Sequence, residues 1–179
     1  MSASRGARLF ERADAYEERL CRSLNRGLER RALRELFVLV SRLGDGVFWY
    51  VLVLLIPIVY GNAGLKPALV MAVTGIVGVL LYRLVKHRLV RERPYITCAE
   101  IHAGTAPLDR YSFPSGHTLH AVSFTVLATA HFPELGWVLV PFASLVAASR
   151  VVLGLHYPTD VLAGAMLGTA LAGTALALT

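Results

Sequence analysis

Three short stretches of the 179-residue chain carry side chains suited to holding and cleaving a multiply charged anion. Lys86 and Arg93 form the first, Ser115-Gly116-His117 the second, and Arg150 with His156 and Asp160 the third. Arginine presents forked donors that match phosphate oxygens, and lysine adds a compact charge. Ser115 follows Phe113-Pro114 and opens an apolar run. As a helix N-cap it leaves backbone N–H groups pointing outward, an anion site reinforced by the helix dipole. His117 and His156 supply groups that titrate near neutral pH. His156 and Asp160 are four residues apart. In a helical turn, that spacing lets the carboxylate accept a bond from one imidazole nitrogen, leaving the other a better nucleophile or base. His117 is then free to act as general acid on a departing oxygen. Phosphoryl transfer needs this division of labour: neutralise the equatorial oxygens, attack in line, protonate the leaving group.

The elements that must position these groups are membrane helices. The chain is 55% hydrophobic and 17% charged, with mean hydropathy +0.56. That excludes a disordered tail, and two cysteines exclude a disulfide scaffold. The charges are segregated. Residues 1–42 hold ten Arg and six acids, and residues 83–110 hold five Arg, one Lys and three acids. The rest carries only Asp45, Lys66, Glu134, Arg150 and Asp160. Apolar runs at 46–62, 66–85, 116–132, 136–155 and 159–178 predict five spans. The fold class expected is all-α, a polytopic membrane helical bundle. Alternating spans gather Lys86, Arg93, Ser115, His117, Arg150, His156 and Asp160 at one face. Gly164, Gly168 and Ala172 form a small-residue stripe for close helix packing. Over residues 5–40, Leu9, Ala13, Tyr16, Leu20, Leu24 and Leu28 recur between arginines. They predict a basic amphipathic helix on the membrane surface, with anionic lipids as partners. The division expected is an N-terminal helix, 1–43, and a transmembrane domain, 44–179.

The three stretches resemble the motifs of the type 2 phosphatidic acid phosphatase family, within the vanadate haloperoxidase superfamily. Lys86 to Pro94 fits K-x6-R-P, Pro114 to His117 is P-S-G-H, and Ser149 to Asp160 fits S-R-x5-H-x3-D. The resemblance implies a lipid phosphatase in which His156 attacks phosphorus and forms a phosphohistidine. Asp160 would orient His156, and His117 would protonate the leaving group and later help activate water. Lys86, Arg93, Arg150, Ser115 and the backbone at Gly116 would hold the phosphate. No metal and no other cofactor is implied, and inhibition by vanadate is expected. Relatives of this family act on phosphatidate, phosphatidylglycerol phosphate, undecaprenyl diphosphate and other lipid phosphates, and the compact chain looks most like its small bacterial members.

Other residues receive blander readings. His120 is expected in core packing or behind the pocket, His87 and His102 in solvent, and His131 at an interface. Arg88 and Arg91 either follow the positive-inside preference or help hold a headgroup. The 95–113 loop, with Glu100, Asp109 and Arg110, is the natural place for headgroup selection. Both basic clusters fall on the active face, which places that face in the cytoplasm of a bacterial inner membrane; labelling at Cys98 would report it. No nucleic-acid partner is expected, and the oligomeric state stays open. The rival reading is a membrane protein that binds or transports an anionic lipid without cleaving it; a binder needs the cations but not the His156–Asp160 pair with His117.

Overall fold

The computed structural model describes residues 5–107 and 109–179. The described elements are helical: α1 (Arg5–Asn25), α2 (Arg31–Gly44), α3 (Val47–Tyr60), α4 (Asn62–Arg88), the single turn α5 (Pro94–Thr97), α6 (Gly116–His131), α7 (Gly136–Val152) and α8 (Pro158–Leu178). Five of them, α3, α4, α6, α7 and α8, stand where the five apolar runs place spans. Three helical stretches, Asn62–Arg88, Pro133–Val152 and Pro158–Leu178, are long and apolar enough to cross a bilayer. The pair α2 and α3, bent by 54° at its break, would make a fourth. At 16 residues, α6 is shorter than the ~20 that a lone span needs.

Helix α6 is instead the core of the bundle, packed against α4, α7 and α8. Leu119, Ala121, Leu127 and Ala128 are buried along it. Large apolar side chains on the outer faces of the others are exposed: Leu54 and Ile58 on α3, Leu69 and Ile76 on α4, Val138 on α7, Leu162 and Met166 on α8. An apolar surface that extensive suits lipid rather than water, and the protein is a multi-pass membrane protein.

The small-residue stripe packs within the chain. A Cβ on Gly164 would lie 2.5 Å from the Ser115 carbonyl oxygen, and one on Gly168 would collide with that of Leu119. Glycine therefore lets the backbones of α6 and α8 touch, which sets the distance between the His117 and Asp160 ends. Below, Trp49 packs on Phe48, Phe124 and Phe142, closing the bundle between α3, α6 and α7.

The N-terminal region differs from expectation. It is two helices, separated by a 3-10 turn at Arg26–Glu29, not one. The side chains of Leu9 and Ala13 lie outside those described. Of the remaining apolar stripe, Tyr16 and Leu24 are exposed, while Glu17, Cys21 and Asn25 are buried one helical step away. The polar stripe faces the bundle because every member finds a partner in the motif-bearing connections. Glu17 accepts from the Thr159 backbone at 2.7 Å, and the Asn25 side-chain amide donates to the carbonyls of His102 and Val152. Cys21 and Cys98 are free thiols in that interface. Burial, then the nearby carboxylates Glu17 and Asp160, pushes the Cys21 thiol up to about 12, so it stays protonated and inert.

Candidate active site

Each site residue sits at a helix end or in a connection. Lys86 lies in the last turn of α4, and Arg93 immediately precedes α5. Ser115 caps α6: its hydroxyl accepts from the Thr118 hydroxyl at 3.0 Å and lies 3.5 Å from the Thr118 backbone nitrogen. Its own N–H donates to the Asp160 carbonyl at 3.0 Å, tying the starts of α6 and α8 together. After Arg150, near the end of α7, the chain turns back at Gly154, whose φ of +71° favours glycine. The backbone N–H groups of Leu155 and His156 then donate to the Arg150 carbonyl, folding His156 over that residue. Asp160 lies in the first turn of α8, where its carboxylate accepts from the Tyr157 backbone at 2.8 Å.

These ends surround a cavity of about 600 Å³. Lys86, Arg93, Gly116, His117, Arg150 and His156 line it, together with Asp45 and Asp109. Its other wall is apolar, built from Val53 and Leu54 of α3 and Ala72, Ile76 and Val79 of α4. Leu54 and Ile76 are also exposed on the outer surface, so the cavity reaches the lipid-facing side between α3 and α4. Two expected site residues do not line it. Ser115 is fully buried behind the α6 terminus, spending its hydroxyl on Thr118 instead of facing an anion. Asp160 is fully buried behind His156.

The cations are dry and differently engaged. Arg93 donates to the Leu155 carbonyl at 2.8 Å and to Asp109 at 2.7 Å, with its Nη1 3.4 Å from His156 Nε2. Lys86 also donates to Asp109, at 2.7 Å, and to the Tyr111 carbonyl. Asp109 thus bridges the two cations that motif spacing assigns to phosphate. Burial opposes ionisation of Asp109, but the bonds and charges of Lys86 and Arg93 outweigh it and hold the carboxyl below its ordinary range. Arg150, 2% exposed, donates to the Ser41 hydroxyl; its Nε has no partner and no carboxylate pairs with it among the described residues. A buried guanidinium in that state favours an anion strongly.

His156 and Asp160 are close but not hydrogen-bonded: Nδ1 lies 3.7 Å from Oδ2, and no described group bonds Nδ1. The expected helical turn over 156–160 does not form, because α8 begins only at Pro158. Burial, then the like charges of Arg150, Arg93 and Lys86, holds His156 well below its usual value. Its imidazole is therefore neutral at neutral pH, with a lone pair available. His120 lines the cavity and also pins α6 to α4, its ring nitrogens lying 2.8 and 3.1 Å from the carbonyl oxygens of Gly116 and Gly75.

Four neighbours were not singled out by motif spacing. Arg91 donates to Asp160 at 2.7 Å and to Glu17 at 2.8 Å, and its guanidinium lies over the Tyr157 ring. These bonds tie Arg91 to Asp160 and to α1. Glu17 reaches the same cluster from α1. Asp45, in the break between α2 and α3, pairs with His117, and Ser41, in the last turn of α2, pairs with Arg150. The one sequence signal for Asp45 is its isolation: residues 43–65 hold no other charge, and glycines flank it.

Comparison with known proteins places this geometry. The chain is 33% identical over 114 residues, 63% of its length, to the undecaprenyl-diphosphatase BcrC of Bacillus subtilis (strain 168), and the match spans 58% of that relative. A crystal structure of Aquifex aeolicus LpxE superposes with a TM-score of 0.76 at 24% identity, covering 89% of this chain and 93% of that one, a likeness of fold. A PAP2-type phosphatidylglycerolphosphate phosphatase from Bacillus subtilis superposes with a TM-score of 0.67 at 25% identity, covering 93% and 85%. Residues 63–179 match the PAP2 superfamily, and this stretch holds all three motifs and most of the cavity lining. The chain belongs to the PAP2 superfamily.

Proposed function

We propose that the protein is a membrane phosphatase that removes a phosphoryl group from a lipid phosphate monoester or diphosphate. The observation that carries this reading is the two-sided cavity, with Lys86, Arg93, Arg150, His117 and His156 at one end and the apolar walls of α3 and α4 at the other. A phosphate at the cationic end leaves an acyl or prenyl chain against the apolar wall. The matched relatives are named for undecaprenyl diphosphate and phosphatidylglycerol phosphate, which share that build.

In the first step His156 Nε2 attacks phosphorus. The N–P bond forms as the bond to the lipid oxygen breaks, and His117 gives that oxygen its proton. Asp160 offsets the positive charge that develops on the His156 ring. In the second step water attacks phosphorus, His117 takes its proton, the N–P bond breaks and inorganic phosphate leaves. Arg93, Arg150 and Lys86, with the N–H at Gly116, stabilise the equatorial oxygens; three fixed cations supply the charge a metal would otherwise bring. Ser115 serves indirectly, by capping α6 and organising its terminus.

The active face is assigned to the cytoplasm of the inner membrane. The basic N-terminal helix docks on the same end as the motifs, through Glu17 and Asn25, and both positive clusters therefore share a face. Cys98 is buried and a poor reporter of this. Exposed Ala106 in the active-face loop is a better one: Ala106→Cys in intact spheroplasts should resist an impermeant maleimide, and efficient labelling would place the site outside.

Purified protein assayed for phosphate release from a panel of lipid phosphates, with chelator present, tests the activity. Release by wild type and its loss in His156→Ala is the expected result. Binding without release would favour a lipid-binding protein.

A further inference from the structure

We propose that Asp45 is the carboxylate partner of His117 and that the break between α2 and α3 belongs to the catalytic machinery. This rests on the phosphatase reading, in which His117 is the acid. Asp45 is costly where it stands, a lone charge in an otherwise uncharged run from Leu43 to Leu65. The local backbone is built to present it. Gly46 has φ of +135°, and a Cβ on Gly44 would press within 3.0 Å of Val146. The chain bends by 54° there, and Asp45 faces the cavity instead of lipid.

Its carboxylate contacts His117 Nε2, and it is the only carboxylate paired with His117 among the described residues. The other charged groups of the cavity wall near that ring, Lys86 of α4 and Arg150 of α7, are both positive and oppose an imidazolium. His156, in the α7–α8 connection, is the remaining titratable neighbour. Asp45 supplies an opposing charge, which favours a second proton on His117. One helical turn earlier, Ser41 accepts from Arg150, so a single face of this break supports both the acid and a phosphate ligand. Both residues lie outside the stretch that matches the family.

The proton balance is simple. Nε2–H stays on Asp45, and the Nδ1 proton passes to the departing oxygen as the P–O bond breaks, leaving a neutral ring. In the second step Nδ1 takes a proton from the attacking water. Asp45 is thus a positioning residue, acting through His117.

The test compares two leaving groups. A short-chain phosphatidate expels a poor leaving group that needs protonation, whereas p-nitrophenyl phosphate expels one that does not. Asp45→Asn should lower turnover of the first by about 10²-fold, the lower end of what a general acid contributes, and of the second by only about threefold. The ratio of the two rates is read within one preparation, so unfolded protein cancels. Asp45→Glu should restore the ratio towards wild type. Equal losses on both substrates, or none on either, would overturn the proposal while leaving the phosphatase reading intact. A wild-type protein inactive on both would remove the phosphatase reading and this inference together.

Discussion

Asp109 sets a condition for substrate entry. Its carboxylate occupies Lys86 and Arg93 at 2.7 Å, so an incoming phosphate must displace it or share those cations. Replacing it with a neutral isostere removes the competitor. Asp109→Asn should therefore let vanadate inhibit at about tenfold lower concentration, which corresponds to ~1.4 kcal/mol. Unchanged inhibition would show that Asp109 does not compete, and weaker inhibition that it assists anion binding. The motif residues were legible because their types and short spacings state their chemistry. Asp109 was visible only as one charge in a loop, because its role depends on a fold that brings it to Lys86 from 23 residues away. Asp45 is farther still, 72 residues from His117. No local pattern announces such a pair.

Among the elements, the small-residue stripe of α8 was legible as a close-packing surface, and the structure supplies its partner, α6. Gly164→Ala should destabilise the protein by about 1–3 kcal/mol, the usual cost of overpacking, since the Cβ meets a backbone carbonyl that cannot rotate away. A lowered melting temperature in detergent checks this; an unchanged one would mean that the α6–α8 contact is loose. Helix α1 turns Glu17, Cys21 and Asn25 towards the bundle and leaves Tyr16 and Leu24 on its outer side. Periodicity counts apolar residues, and here the buried face is Glu17, Cys21 and Asn25, stabilised by bonds to connections more than 70 residues away. Glu17 and Arg91 anchor α1 to the Asp160 carboxylate. Glu17→Ala leaves Arg91 short of a partner in a largely buried cluster and should cost about 3 kcal/mol, with a parallel loss of phosphatase activity. A variant with wild-type melting and turnover would show that α1 is only an attachment.

For the whole molecule, the charge segregation seen in sequence becomes two structures at one end of a helical bundle. One is the cationic head of the cavity, and the other is the docked basic helix. The dry cluster also fixes the pH response. His156 is held below its usual value by burial and neighbouring cations, so the unfolded chain binds a proton that the native state refuses. Stability is then complete above the ordinary imidazole value of ~6.5 and falls as the pH drops below it. Asp109 is ionised to lower pH in the native state than in the unfolded chain, which removes further stability below ~4. Melting curves from pH 8 to 4 should be flat at first and then fall; a melting temperature that rises with acid would contradict the buried neutral imidazole.

The central claim is that phosphorus passes through His156. The most direct measurement is to quench the protein during turnover of a ³²P-labelled lipid phosphate and locate the label. Wild type should carry an acid-labile, alkali-stable phosphoryl group on His156, absent from His156→Ala. Steady phosphate release from wild type with no such label, or unimpaired release from His156→Ala, would contradict it.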